Sequence, residues 1–145
     1  MDNLGLGAKA RGLPTLLLLC ALLVPSLARA AEPIKVGMTM ALTGGVAPIG
    51  KQVLAALSIW RDDVNAKGGL LGRPVELVIA DDESSPAVAR QKTSKMVQDD
   101  NIDVHVGGFL SNICLACMPV WEDAKIVNMI SVCLDTTLTT SKCNR

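Results

Sequence analysis

A chain of 145 residues, half of them apolar, with 14 basic and 14 acidic residues and only three aromatics, has room for one ordinary domain. Balanced charge, no basic run longer than two residues and a single histidine, His105, exclude the basic, aromatic-lined surface of a nucleic-acid binder. The low charged fraction and positive mean hydropathy exclude a disordered chain.

Residues 1–30 read as an export signal: Lys9 and Arg11, then a leucine-rich run from Leu13 to Val24, then Pro25, Ser26 and Ala28-Arg29-Ala30. The run, about 12 residues, is short of the roughly 20 that span a bilayer. Small residues at Ala28 and Ala30 predict cleavage after Ala30, with no stable membrane span afterwards. A lipid-modified Cys20 is the rival, but Leu17-Leu18-Leu19 before it lacks a small residue. Losing Asp2, Lys9, Arg11 and Arg29 leaves 11 basic and 13 acidic residues, a net charge of about −2. Four cysteines remain, Cys114, Cys117, Cys133 and Cys143, which in an oxidising compartment pair in any of three ways.

Alternation of Ile34, Val36, Met38 and Met40 with Lys35, Gly37 and Thr39 predicts a first strand, followed by a loop at Thr43-Gly44-Gly45. Val53, Leu57, Trp60 and Val64 recur at helical spacing and predict an amphipathic helix over 49–67, ended by Gly68-Gly69. Val75 to Ala80 reads as a second strand covered on both faces, closed by Asp81-Asp82. Ser85 as N-cap and Pro86 at the first helical position open a second helix running to about Asp100. Ile102 to Val106 is a third strand ending in Gly107-Gly108. Ile113, Ala116, Cys117, Val120, Trp121 and Ala124 mark a third helical face, in which Pro119 predicts a kink or a later start. Val127 to Ser131 is the fourth strand.

Such alternation predicts an α/β fold, a doubly wound parallel sheet with helices on its faces and right-handed crossovers. Ligands of such sheets sit beyond the carboxyl ends of the strands, which singles out loops 41–48, 81–85, 107–112 and 131–137. Because the sequence stops soon after the fourth strand, the expectation is one incomplete lobe, residues 31–145, of something longer.

Several ordered blocks carry a resemblance: Ile34-Lys35-Val36-Gly37, Leu42-Thr43-Gly44 and Gly50; Asn65-Ala66-Lys67-Gly68-Gly69-Leu70-Leu71-Gly72-Arg73-Pro74-Val75; Asp81-Asp82 and Ser85-Pro86; Gly107-Gly108-Phe109-Leu110-Ser111; and Met129-Ile130-Ser131. Together they are similar to the opening of the leucine/isoleucine/valine-binding proteins, the solute receptors of ABC importers. The resemblance implies a type I periplasmic-binding fold of two lobes closing on a small solute, of which this chain is the amino-terminal one. It further implies a periplasmic, non-enzymatic receptor without cofactor or metal, whose partners are an amino acid or a small carboxylate or amide and a membrane permease.

Carried over by position, Ser111 matches the family's serine that holds the ligand carboxylate, with Leu110 and Asn112 on either side. The residues agree: Ser111 and the N–H groups of Asn112 and Ile113 sit at a helix start, where free donors and the helix dipole favour an anion. A plain N-cap serine has the same local geometry. The family's small-residue and threonine segment falls on Cys133 and Leu134, and its threonine on Asp135 or Thr136. Ile49 stands where relatives carry an aromatic at the cleft mouth, so a ring contact is lost. Ser84 and Leu110 occupy the places of a disulfide found in relatives, and that bridge cannot form here.

A competing class is a small exported thiol or metal protein built on the C-x-x-C of Cys114 and Cys117; a third is the ligand-sensing lobe of a regulator. The two further cysteines lack the second short spacing of a zinc ribbon, and paired cysteines on an apolar helical face are ordinarily core residues. Asp81-Asp82 reads as a turn cap, His105 as a satisfied structural residue, and the glycine pairs as tight turns without the spacing of a nucleotide loop.

Overall fold

A computed structural model describes residues 31–130 and 132–140. Residues 1–30, where an export signal and its cleavage site are expected and which include Cys20, lie outside the described residues together with Ser131 and Cys143.

The elements are β1 (Ile34–Met40), α1 (Ala47–Ala66), β2 (Val75–Asp81), α2 (Pro86–Lys95), β3 (Val104–Gly107), α3 (Ser111–Ala124), β4 (Val127–Ile130) and a short α4 (Thr137–Thr140). All pairings in the sheet are parallel, in the order β2-β1-β3-β4, with Ile34 opposite Val75, Val36 opposite Val104, and Val104 opposite Val127. The β1–α1–β2 crossover steps one way along the sheet, whereas β2–α2–β3 passes over β1 and steps the other way. Right-handed crossovers therefore put α1 on one face and α2 and α3 on the other.

Both faces of the central strand β1 are covered. Val36, Met38 and Met40 are buried on one side, Gly37 and Thr39 on the other. A Cβ on Gly37 would meet the Ile102 side chain and come within 3.4 Å of the Met96 sulfur, so the glycine leaves room for the second layer. That layer is built of Ala89 from α2 and Ile113, Cys117 and Trp121 from α3, with Leu110 and Met118 packed against it. On the opposite face Gly50 brings α1 onto the end of β1: a Cβ there would overlap the Ala41 carbonyl.

Several sequence expectations are corrected. β2 is an edge strand, and of its seven residues only Val75 is buried. β3 begins at Val104, because Asn101 turns the chain at φ 53° and Ile102 drops its side chain into the core. The second helix ends at Lys95 and continues as a wide π turn, Met96–Asp100. Ser85 occupies the N-cap position of α2 without a side-chain capping hydrogen bond. α3 neither starts late nor breaks at Pro119, which lies on its exposed side. The third helix also begins at Ser111 itself, with Leu110 as its N-cap.

Candidate functional site

The sheet order reverses direction between β1 and β3, and it is in the crevice at such a switch point that a doubly wound sheet receives its ligand. The loops after β1 and β3 border it, and those after β2 and β4 flank them.

Asp81 shapes the first wall. The β1–β2 register sets it opposite Met40, beside the loop that follows β1. Its Oδ1 accepts the N–H groups of Leu42 at 2.9 Å, Thr43 at 3.2 Å and Glu83 at 2.9 Å, and its Oδ2 accepts the Thr43 hydroxyl at 2.6 Å. Burial pushes against ionisation, but the hydrogen bonds from Thr43, Glu83 and Leu42 prevail and hold the carboxyl down at about 2. Its neighbour Asp82 is buried, its Oδ1 takes the Ser84 N–H at 2.8 Å, and burial raises its pKa. Both aspartates thus serve the turns. The tie to Thr43 escaped sequence reading; its signal was a Thr-Gly loop after one strand and an Asp at the end of the next.

At the second wall, α3 presents its amino end to the crevice. Ile113 N–H is not free as the sequence suggested, because it turns back to the Leu110 carbonyl at 3.0 Å, and Cys114 N–H does the same at 3.1 Å. With Leu110 as N-cap, the donors left without a hydrogen bond among the described residues are the N–H groups of Ser111 and Asn112. The Ser111 Oγ accepts the Leu134 N–H at 3.2 Å, which leaves the hydroxyl proton available to an incoming acceptor. The Asn112 side chain folds onto the Ile113 N–H at 3.0 Å, and the Leu110 side chain packs into the core.

The loop after β4 meets this helix start. Cys133 is joined by a disulfide to Cys114 in the first turn of α3, 19 residues away. The C-x-x-C pair is therefore not bridged to itself: Cys117 is free and buried, 3.5 Å from the Thr93 hydroxyl, and burial pushes its thiol pKa up. The Asp135 carboxylate accepts both the Thr137 N–H at 2.8 Å and its hydroxyl at 2.6 Å, so it caps the short α4, and these bonds lower its pKa. Thr136 and Leu134 are exposed, and Ile49 is exposed in the first turn of α1. Ser111, Asn112, Cys133 and Leu134 are thus brought to one place by the disulfide and the Leu134–Ser111 hydrogen bond. Ile49 sits on a different element, α1. Which cysteines pair was open in the sequence, because pairing needs the β4 loop laid over the start of α3, a matter of sheet order.

A family model described as periplasmic binding protein matches residues 33–145. Over 104 residues the chain is 38% identical to the Leu/Ile/Val-binding protein BraC3 of Rhizobium johnstonii, covering 70% of this chain and 28% of that protein. The Leu/Ile/Val-binding protein of Escherichia coli K12 is 33% identical over 97 residues, 67% of this chain and 26% of that one. Among solved structures, the substrate-binding protein LivJ of Streptococcus pneumoniae in complex with isoleucine superposes with a TM-score of 0.74 at 24% identity, over 77% of this chain and 32% of that chain. A putative branched-chain amino acid ABC transporter protein of Silicibacter pomeroyi gives a TM-score of 0.63 at 33% identity, over 68% and 25%. The chain spans roughly a quarter to a third of the length of these relatives.

Proposed function

Because the chain belongs to the periplasmic binding protein family, we propose that residues 31–145 form the amino-terminal lobe of an exported, non-enzymatic solute receptor. It captures an amino acid of the branched-chain type, or a related small carboxylate or amide, and delivers it to the membrane permease of an ABC importer. The relatives named for leucine, isoleucine and valine support this ligand class, and the family supports a periplasmic location after removal of residues 1–30.

One observation carries the reading. At the switch point of the sheet, the Ser111 hydroxyl and the N–H groups of Ser111 and Asn112 converge at the start of a 14-residue helix. Those donors suit a carboxylate, and the helix dipole adds to the attraction. The loop carrying Cys133, Leu134, Asp135 and Thr136 lies alongside, and Ile49 sits in the first turn of α1. A solute docked here has its other side available to a second lobe, whose closure produces the form a transporter recognises. A thiol-redox reading finds no support in the bridge of Cys114 to Cys133 and the burial of Cys117.

Calorimetry on the full-length protein with leucine, isoleucine, valine and a small amide tests the proposal. Ser111→Ala is expected to weaken binding by about tenfold or more, since it removes a hydrogen bond to a charged group. Unchanged affinity would take Ser111 out of the site.

A further inference from the structure

We propose that the Cys114–Cys133 disulfide is a positioning element for solute capture, holding the loop after β4 in its binding arrangement against the amino end of α3 before any solute arrives. The inference rests on the receptor reading above and deepens it. Neither cysteine need touch the solute.

The geometry around the bridge is built for it. Cys114 lies in the first turn of α3 and is fully buried; Cys133 lies on the loop, with its Cα 6.6 Å from that of Cys114. One residue further on, the Leu134 N–H reaches the Ser111 Oγ at 3.2 Å, so the covalent tie and the hydrogen bond act on adjacent positions. The Cys133 sulfur also rests 3.6 Å from the Leu110 carbonyl. Gly108 passes directly beneath at φ +86°, and a Cβ there would overlap the Cys114 sulfur and lie 3.1 Å from that of Cys133. The left-handed turn after β3 already favours glycine, and the space it leaves is filled by the bridge. Within the loop, Asp135 uses its Oδ1 on Thr137, which shapes the turn without tying it to α3.

Ordering a loop on binding costs conformational entropy that weakens affinity, and a cross-link bears that cost in advance. Cutting the bridge leaves the loop anchored at its far end by the buried Leu138, and near α3 by the Leu134–Ser111 hydrogen bond, an exposed contact that by itself holds the stretch around Cys133 weakly.

The test uses the full-length oxidised protein, the Cys114→Ser/Cys133→Ser double variant, and wild type treated with dithiothreitol after folding. Disulfide mapping by mass spectrometry comes first, and Cys133 joined to Cys117 or Cys143 would overturn the proposal. Leucine affinity, thermal melting and amide exchange over residues 132–138 are then compared. The expected result is a cooperative fold, faster exchange in that loop and leucine binding about tenfold weaker without the bridge. A lower melting temperature with unchanged affinity would make the bridge merely structural and overturn the proposal. Should the double variant not fold, the reduced wild type decides. Should the oxidised protein bind none of leucine, isoleucine and valine, the ligand assignment fails on its own. Loop exchange then judges the bridge, and exchange insensitive to reduction overturns it.

Discussion

His105 shows how much a single side chain is governed by its neighbours. Flanked by Val104 and Val106 in a strand, it was expected to be a satisfied structural residue, and it is fully buried. Its Nε2 receives the Thr39 N–H at 3.3 Å and lies 3.0 Å from the Thr39 hydroxyl, while Nδ1 is 2.8 Å from the Asn128 Oδ1. A backbone N–H can only donate, so Nε2 is the acceptor and the proton sits on Nδ1, shared with Asn128. The ring also lies tilted against Trp121, with centroids 5.1 Å apart. Burial lowers the pKa from 6.5 to about 4, against the opposing effect of Asn128. A depressed histidine pKa means that the unfolded chain takes the proton first as pH falls. Stability from this group is therefore complete above pH 6.5 and is lost between 6.5 and about 4, to the extent of about 3 kcal/mol. Urea titrations at pH 7 and pH 4.5 check this: the loss should shrink in His105→Gln, and an equal loss in both proteins would contradict it. Asp81, depressed from 3.8 to about 2, acts in a more acid window, its contribution being full above 3.8 and fading toward 2.

At the scale of elements, α1 is fixed at both ends by residues with definite tasks. Near its carboxyl end Asn65 pairs with the start of β2 twice, donating Nδ2 to the Val75 carbonyl at 2.9 Å and accepting the Val75 N–H at 2.7 Å. Asn65→Ala leaves both backbone groups without this partner in a half-buried place and is expected to cost about 1–3 kcal/mol, read as a lower midpoint in urea. At its amino end Gly50 rests on the Ala41 carbonyl, and Gly50→Ala is expected to push α1 off β1 at a cost of about 1–3 kcal/mol, measured by thermal unfolding. The positions of the helices were legible in the sequence to within a few residues, because apolar spacing and the Gly68-Gly69 stop are local. The π turn Met96–Asp100 was not, since it follows from Asn101 entering the left-handed region and carrying Ile102 into the core.

At the scale of the whole molecule, β4 is the last strand of the sheet among the described residues, and its Val127 and Met129 are 68% and 62% exposed, in contrast to the buried face of β1. A receptor that closes on its solute changes shape as well as affinity. Small-angle scattering of the full-length protein is expected to show a smaller radius of gyration with saturating leucine, and an unchanged radius would argue against lobe closure. The sequence by itself determined the alternation of strands and helices, the parallel sheet and the loops at its carboxyl edge, because hydrophobic periodicity and glycine stops are properties of neighbouring residues. It also placed Ser111 at the start of a helix, since a serine soon after a Gly-Gly turn is a local pattern. Only the tertiary structure decided that Cys133 pairs with Cys114, that Asp81 holds Thr43, that the Ile113 N–H is bonded back to Leu110 and not a free donor, and that β2 is an edge. Each of these depends on which strands lie side by side, and strand order arises from the crossovers of the whole chain, which no window of sequence contains.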